Sequence, residues 1–333
     1  MSDLYFLSLR DIASASTGVT AAHLYRLAGV TRDTPWLQAR LTGADWVPWD
    51  QVGEVFRGKR VCFVIHGFNV NVDHGVKGGG PAAQEFEALG YLAMKITAAD
   101  LVVPVLWPGD GFIVTSWFKA IDHVTTAGGR FAEFLLSSAF QAADVSFVTH
   151  SLGARAMLET VRQTVARRPA FPFDTAVTMA AAVADNTLDN PRYAGAVAAL
   201  RRVVVLSSTK DTVLSGVFVP GDLIENALWW GYGGNGRALG RFGPAFKSGS
   251  AFPAKTEWYA IRPEKDQDHG DYLPAGWVTG TEFSNGWSDK RIAVGRFVED
   301  LIDIHPPPDS SQGWATDNTG RFRAGWTPKL PAG

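Results

Sequence analysis

The stretch that most constrains this chain covers residues 144–160, where an apolar, β-branched segment passes directly into helix-forming residues. Residues 145–149 are typical of a buried strand, and the residues from Ala154 onward are good helix formers. Ser151 stands at the junction, and Gly153 follows two positions later. A serine between a buried strand and a helix is typical of a nucleophile elbow, in which a tight turn holds the hydroxyl at a sheet edge.

The junction reads Thr-His-Ser-Leu-Gly and departs from the G-x-S-x-G motif at Thr149, where the motif has glycine. The alternative interpretation is that Ser151 only caps the helix, which is a common role of serine before a helix. The motif alone leaves both interpretations open.

Length and composition indicate a soluble globular chain with enough residues for a large core. Of the 333 residues, 46% are hydrophobic and 19% are charged. The net charge of −2 gives no electrostatic basis for binding nucleic acid. The single cysteine, Cys62, excludes an internal disulfide and a cysteine-based metal cluster. We expect no transmembrane segment and no signal peptide, which favours a cytoplasmic location.

Apolar runs recur along the chain and alternate with helical patterns. They predict strands at residues 60–65, 101–107, 145–149, 173–182, 202–207 and 256–261. We expect residues 4–9 to form an edge strand and residues 256–261 to form the last strand of the sheet. This alternation predicts an α/β fold with a mostly parallel central sheet and helices on both faces.

The helical patterns lie between these strands. They cover about residues 81–94, 117–141, 189–200 and 290–304, and we expect the second helix to be broken or kinked near Gly128-Gly129. We expect one domain over residues 1–305, with residues 1–60 packed on it and a lid or pocket segment at residues 220–255. A Pro/Gly-rich extension at residues 306–333 completes the chain.

Polar and aromatic residues follow the predicted strands at their carboxyl ends, where sites collect in open parallel sheets. They are His66, Trp107, Ser151, Asp185, Asp211 and His269. This convergence favours the nucleophile interpretation of Ser151. A serine hydroxyl needs an adjacent base that is oriented by an acid. His269 is the candidate base, and Asp211 is the candidate acid, with Asp185 as the alternative.

An oxyanion hole needs two backbone N–H groups. Leu152, directly after Ser151, supplies one candidate. Phe68 supplies the other, because Gly67 before it lets the backbone approach a substrate closely.

Several short segments together resemble the α/β-hydrolase superfamily and, within it, the bacterial DUF900 group of serine hydrolases. They are His66-Gly67-Phe68-Asn69, Trp107-Pro108, residues 149–153, residues 207–211, and His269 in an Asp-His-Gly context. The order Ser, Asp, His is also that of the superfamily. The resemblance covers about residues 60–275. It implies an α/β-hydrolase fold and a serine esterase that works without a cofactor.

Other side chains are candidates for contact with a small-molecule ester or acyl substrate. They are His66, Gly67, His150, Trp107, Phe112 and Trp230. For His66, a hydrogen bond to the oxyanion loop is favoured over a chemical role. His150 either lines the pocket or packs, and the two aromatic groups around Phe112 and Trp230 either line an acyl pocket or belong to the core. No cluster has the spacing of a zinc site, so we expect no metal.

Three functions fit these residues. The leading one is a carboxylic-ester hydrolase. A thioesterase, lipase, peptidase or acyltransferase would share its acyl-enzyme chemistry. A catalytically silent binding protein with a hydrolase fold is disfavoured, because serine, histidine, acid and oxyanion glycine are all present.

Overall fold

The computed structural model describes residues 2–12, 18–30, 44–68, 96, 99–109, 114–218, 236–245, 256–261, 268–272 and 321–326. Its ten strands are β1 (Ser2–Ser8), β2 (His23–Val30), β3 (Asp45–Trp46), β4 (Arg60–Ile65), β5 (Leu101–Leu106), β6 (Asp144–His150), β7 (Phe173–Met179), β8 (Arg202–Ser208), β9 (Thr256–Ile261) and β10 (Arg321–Trp326). They form one sheet in the order β10-β9-β8-β7-β6-β4-β5-β1-β2-β3. Only the pairs β1/β2 and β2/β3 are antiparallel. The prediction of an α/β chain with a mostly parallel sheet is confirmed.

The α-helices of the described residues are α1 (Trp49–Phe56), α2 (Val114–Leu136), α3 (Gly153–Arg167), α4 (Ala194–Ala199) and α5 (Leu239–Phe242). A π-helical turn covers Leu214–Phe218, and 3-10 turns cover Thr187–Asp189 and His269–Tyr272. None of the helices in these parts of the chain combines the length and the apolar character that a membrane crossing needs.

The central strands are buried on both faces. In β4, β6 and β8 only the first residue escapes burial, and β7 is buried throughout. Their sequences, rich in apolar and β-branched residues, suit parallel strands that are covered from both sides. Phenylalanine rings pack beneath them; Phe63 of β4 meets Phe131 of α2 edge to face at 4.8 Å between centroids. This packing fixes the carboxyl ends of the central strands, where the predicted site lies.

Two predictions about the sheet edges are wrong. The predicted edge strand at residues 4–9 is β1, an interior strand between β5 and β2. The hydrophobic pattern of a strand does not reveal that residues 23–30 pair with it. Nor is β9 the last strand, because residues 321–326 of the C-terminal extension pair with it in parallel as β10.

Two helix predictions also need correction. α2 continues through Gly128 and Gly129 without a break, and Gly128 serves close packing. A Cβ at Gly128 would lie 2.5 Å from the Cβ of Glu159 in α3. The helix predicted at residues 189–200 shortens to α4, since Pro191 favours extended backbone at the residue before it and Asn190 has a ψ of 131°.

A buried carboxylate ties α3 to the segment that precedes α4. Glu159 is fully buried and accepts hydrogen bonds from Arg162, Arg192 and the Tyr193 hydroxyl. Burial alone would raise the pKa of Glu159, but these three hydrogen-bond donors outweigh it and hold the pKa below its usual value of 4.5. The ionised form is therefore the one that the fold stabilises.

We expect Glu159→Gln to lower the free energy of unfolding by about 3 kcal/mol at neutral pH, because it leaves two arginines without a buried counter-ion. Urea denaturation measures this loss. The matched control is Glu133→Gln in the exposed pair with Arg130, also spaced i,i+3, where we expect a change of about 1 kcal/mol or less. Equal losses of unfolding free energy in Glu159→Gln and Glu133→Gln would contradict the conclusion that Glu159 is a buried, ionised partner of the two arginines.

The contribution of Glu159 to the free energy of unfolding depends on pH. Because the folded-state pKa of Glu159 lies below the unfolded-state value, its contribution is present above pH 4.5 and is lost as the pH falls through the folded-state pKa. The stability difference between wild type and Glu159→Gln should therefore shrink in acid.

Candidate active site

Ser151 occupies a tight left-handed turn between β6 and α3. Its φ is +52°, a conformation that costs an L-residue free energy. Its backbone N–H donates to the Met179 carbonyl, and its carbonyl accepts from the Ala182 N–H, each at 3.0 Å. The N-cap of α3 is Leu152, with no side-chain capping bond. The helix-cap interpretation of Ser151 is therefore wrong, and the end of β7 holds the serine in its turn.

Gly153 lets the turn approach β4. A Cβ at this position would lie 2.5 Å from the carbonyl oxygens of both Ile65 and His66. Thr149 needs no such freedom, because it lies within β6 and pairs with Ile65 and Thr178. The motif glycine that Thr149 replaces is thus dispensable for this turn.

We expect Gly153→Ala to lower the free energy of unfolding by about 1–3 kcal/mol, because the new methyl group meets backbone atoms that have no room to move. The control is Gly195→Ala in α4, where a Cβ has no neighbour within 4 Å. There we expect unchanged stability or a gain of up to about 1 kcal/mol. Chemical denaturation compares them, and a Gly153→Ala variant as stable as wild type would refute the close contact.

The structure brings His269 and Asp211 together. The Nδ1 of His269 lies 2.7 Å from Oδ2 of Asp211, whose side chain is fully buried. Asp211 follows β8, and His269 opens the 3-10 turn after β9, the neighbouring strand. The second oxygen of Asp211 accepts the N–H of Leu214 at 2.8 Å. The carboxylate therefore orders its own turn and also meets the imidazole.

Asp185, the alternative acid, is engaged elsewhere. Its Oδ2 accepts a hydrogen bond from Nε of Arg237 at 2.8 Å, and its backbone N–H donates to the Arg237 carbonyl. Asp185 is nearly as buried as Asp211, so the two aspartates differ in partner rather than in burial.

His150 directly precedes Ser151 in the chain and contacts His269. The imidazole rings of His150 and His269 are 4.8 Å apart between centroids, and Nε2 of His150 lies 2.9 Å from the His269 carbonyl oxygen. Within the described residues the Ser151 hydroxyl makes no hydrogen bond, so the contact between nucleophile and base is not formed. Such hydrogen bonds are often long without substrate and tighten when it binds.

His66 and Trp107 lock the ends of β4 and β5 together. The Trp107 backbone N–H donates to Nε2 of His66, and the Trp107 indole N–H donates to the His66 carbonyl at 2.9 Å. Nδ1 of His66 lies 2.8 Å from the Gly67 carbonyl oxygen, and a Cβ at Gly109 would lie 2.9 Å from the same oxygen. Both His66 and Trp107 are fully buried, and their contacts shape the loop at Gly67; that they contact substrate stays a prediction.

The two candidates for the oxyanion hole lie at the ends of neighbouring strands, β6 and β4. Among the described residues, the Leu152 backbone N–H finds no hydrogen-bond acceptor, although Leu152 is fully buried. A buried donor left open in this way is available to a bound oxyanion. Phe68 packs against the core directly after Gly67.

Sequence reasoning missed Asp268, which joins the turns of acid and base. Its Oδ1 accepts the backbone N–H groups of Thr212 and His269, each at 2.8 Å. Burial would raise the pKa of Asp268, but these bonds and the Thr212 hydroxyl outweigh it and lower the pKa. Aspartate often accepts a hydrogen bond from a backbone N–H close to it in sequence, and this tendency could have indicated the bond to His269. The bond to Thr212, 56 residues away, has no signal in the sequence.

Phe112, Trp230 and Asn69 lie outside the described residues, so the predicted roles of Phe112 and Trp230 stay predictions. Cys62 is buried in β4, where burial raises the pKa of its thiol and keeps it neutral. In the described segments no three histidine, cysteine or acidic side chains are grouped as metal ligands would be.

Comparison with known proteins gives only distant likenesses. No family model and no curated protein matches the chain. A solved structure named m3DLH aligns with 90% of this chain and 98% of its own length, at 12% identity and a TM-score of 0.40. A monoclinic form of a Pyrobaculum calidifontis esterase aligns over 74% of this chain and 77% of its own, at 13% identity and a TM-score of 0.33. A hyperthermophilic esterase from the archaeon Pyrobaculum calidifontis aligns over 91% and 82%, at 12% identity and a TM-score of 0.35. Likenesses at this level of identity and TM-score carry no argument about function.

Proposed function

We propose that this chain is a serine hydrolase of the α/β-hydrolase superfamily that cleaves carboxylic esters through an acyl-enzyme. Ser151 is the nucleophile, His269 the base, and Asp211 the acid that orients it. The observation that carries the proposal is the contact between the buried Asp211 and His269, at the sheet edge where Ser151 is held in a left-handed turn. Together these two features are parts of an activated nucleophile.

In this mechanism His269 donates its Nδ1–H to Asp211, so its Nε2 is free to accept the Ser151 proton. The serine oxygen then bonds to the ester carbonyl carbon, and the backbone N–H groups of Leu152 and Phe68 stabilise the oxyanion. Protonated His269 returns the proton to the departing alcohol as the ester bond breaks. A water molecule, deprotonated by the same imidazole, hydrolyses the acyl-enzyme and restores Ser151.

A fluorophosphonate probe tests this proposal directly, because it reacts only with a serine hydroxyl that a nearby base activates. We expect the native chain to be labelled at Ser151, as located by peptide mass spectrometry, and heat-unfolded protein to remain unlabelled. A series of p-nitrophenyl esters and matched thioesters of increasing chain length then ranks substrates. A native chain that stays unlabelled, or that labels at another serine, would refute the assignment.

A further inference from the structure

We propose that His150 is a positioning residue that holds the backbone of the base against the strand that carries the nucleophile. This inference rests on the proposed function, because it assigns His150 a part in that same site. The Nε2 atom of His150 lies 2.9 Å from the His269 carbonyl oxygen. Since a carbonyl can only accept, this nitrogen carries the proton and donates it.

The His269 backbone is held by side chains at both of its polar groups. His150 binds its carbonyl, and Oδ1 of Asp268 accepts its N–H at 2.8 Å. Asp268 also accepts the N–H of Thr212, the residue after Asp211. The base is therefore tied to the residue beside the nucleophile on one side and to the residue beside the acid on the other.

The place of His150 in the sheet makes it a stiff anchor. It is the last residue of β6, pairs with Met179 of β7, and is only 3% exposed. By contrast, His269 lies in a 3-10 turn of four residues. A base on a short turn keeps its distance to the nucleophile only if a rigid element such as a strand holds it. Misplacement of the base by about 1 Å can lower the rate by about 100-fold.

This role replaces the expectation that His150 lines the substrate pocket. The His150 ring packs against the His269 ring, with 4.8 Å between the two ring centroids. Its Nε2–H is already committed to the His269 carbonyl. The two roles make different kinetic predictions. Substituting a residue that lines the pocket should change KM, whereas substituting a positioning residue should change the rate of the step that needs the base.

Two substitutions at His150 separate the hydrogen bond from the shape of the ring. His150→Gln keeps an N–H donor near the position of Nε2, and His150→Phe keeps a ring without a donor. The matched control is His23→Phe in β2, where the ring packs on Trp46 and lies outside the site.

The kinetic readout is the rate of fluorophosphonate labelling, in which the bond from the Ser151 oxygen to phosphorus forms, fluoride leaves, and His269 takes the serine proton. We expect His150→Phe to slow this reaction, and kcat for p-nitrophenyl acetate, by about 10- to 100-fold with KM changed less than about threefold. His150→Gln should recover the rate to within about fivefold of wild type, and His23→Phe should match wild type.

A second readout does not depend on activity. Hydrogen–deuterium exchange over residues 268–272 should accelerate about tenfold in His150→Phe, as expected for the loss of one buried hydrogen bond, but not in His150→Gln or His23→Phe. Unchanged exchange in His150→Phe would overturn the inference whatever the chain catalyses. A rise in KM that grows with ester chain length would also overturn it, in favour of a pocket wall. If the wild-type protein is not labelled, the proposed function is refuted. A difference in exchange between wild type and His150→Phe would still support the hydrogen bond from His150 to the His269 carbonyl.

Discussion

Replacing Ser151 by alanine is expected to lower ester turnover by about 10⁶-fold, the loss found when a triad nucleophile is removed. The substitution deletes one hydroxyl that, within the described residues, makes no hydrogen bond, so the fold loses no contact that it needs. The backbone bonds of residue 151 to Met179 and Ala182 do not involve the side chain and should persist. Melting temperature and circular dichroism should therefore stay close to those of wild type.

Steady-state hydrolysis of p-nitrophenyl acetate by the purified variant measures this loss. The companion experiment is His269→Ala, alone and combined with Ser151→Ala. Because nucleophile and base act as a unit, the double variant should be no slower than either single variant. Retention of even a tenth of wild-type turnover by Ser151→Ala would sink the assignment, and so would losses that multiply in the double variant.

The second large effect is expected at the acid. Asp211→Asn should lower turnover by about 10⁴-fold, because an amide in place of the carboxylate favours the wrong imidazole tautomer and no longer stabilises the imidazolium. The oxygen of the new side chain can still accept the Leu214 N–H, which preserves the turn after β8. The loss should therefore appear in kcat and not in the unfolding curve.

Asp185→Asn is the matched control, since both carboxylates are almost wholly buried at the ends of neighbouring strands. It breaks the ion pair with Arg237 and should cost stability while leaving kcat within about tenfold of wild type. If Asp185→Asn proved the slower enzyme, the acid would lie one strand away from the proposed position.

Much of this site follows from local sequence. The strand before Ser151 is rich in apolar and β-branched residues because it is covered on both faces, and the residues after it favour a helix, so the elbow is recognisable from a short window. The end of a parallel strand is also a local property. For this reason the sequence indicates that Asp211, Asp185 and His269 all reach the same edge.

What the sequence could not show depends on contacts between distant segments. Asp211 and Asp185 both follow a predicted strand, so the local sequence does not separate them. Tertiary packing places His269 beside Asp211 and Arg237 beside Asp185. Gly128 is a second example. A glycine that lets a neighbouring helix approach and a glycine that breaks the helix in which it lies look alike in sequence. The place of β1 inside the sheet likewise depends on a partner strand further along the chain.

The left-handed turn of Ser151 has a neighbour of the same kind, and the pair bears on attempts to make this protein more heat resistant. Ala180, just after β7, has a φ of +48°, and its turn supplies the Ala182 N–H that binds the Ser151 carbonyl. Glycine would adopt either conformation at lower cost. A screen that selects only for thermal tolerance will therefore favour glycine at both positions, removing the hydroxyl at one and loosening its support at the other. Variant libraries should hold residues 151 and 180 fixed and seek their gains elsewhere.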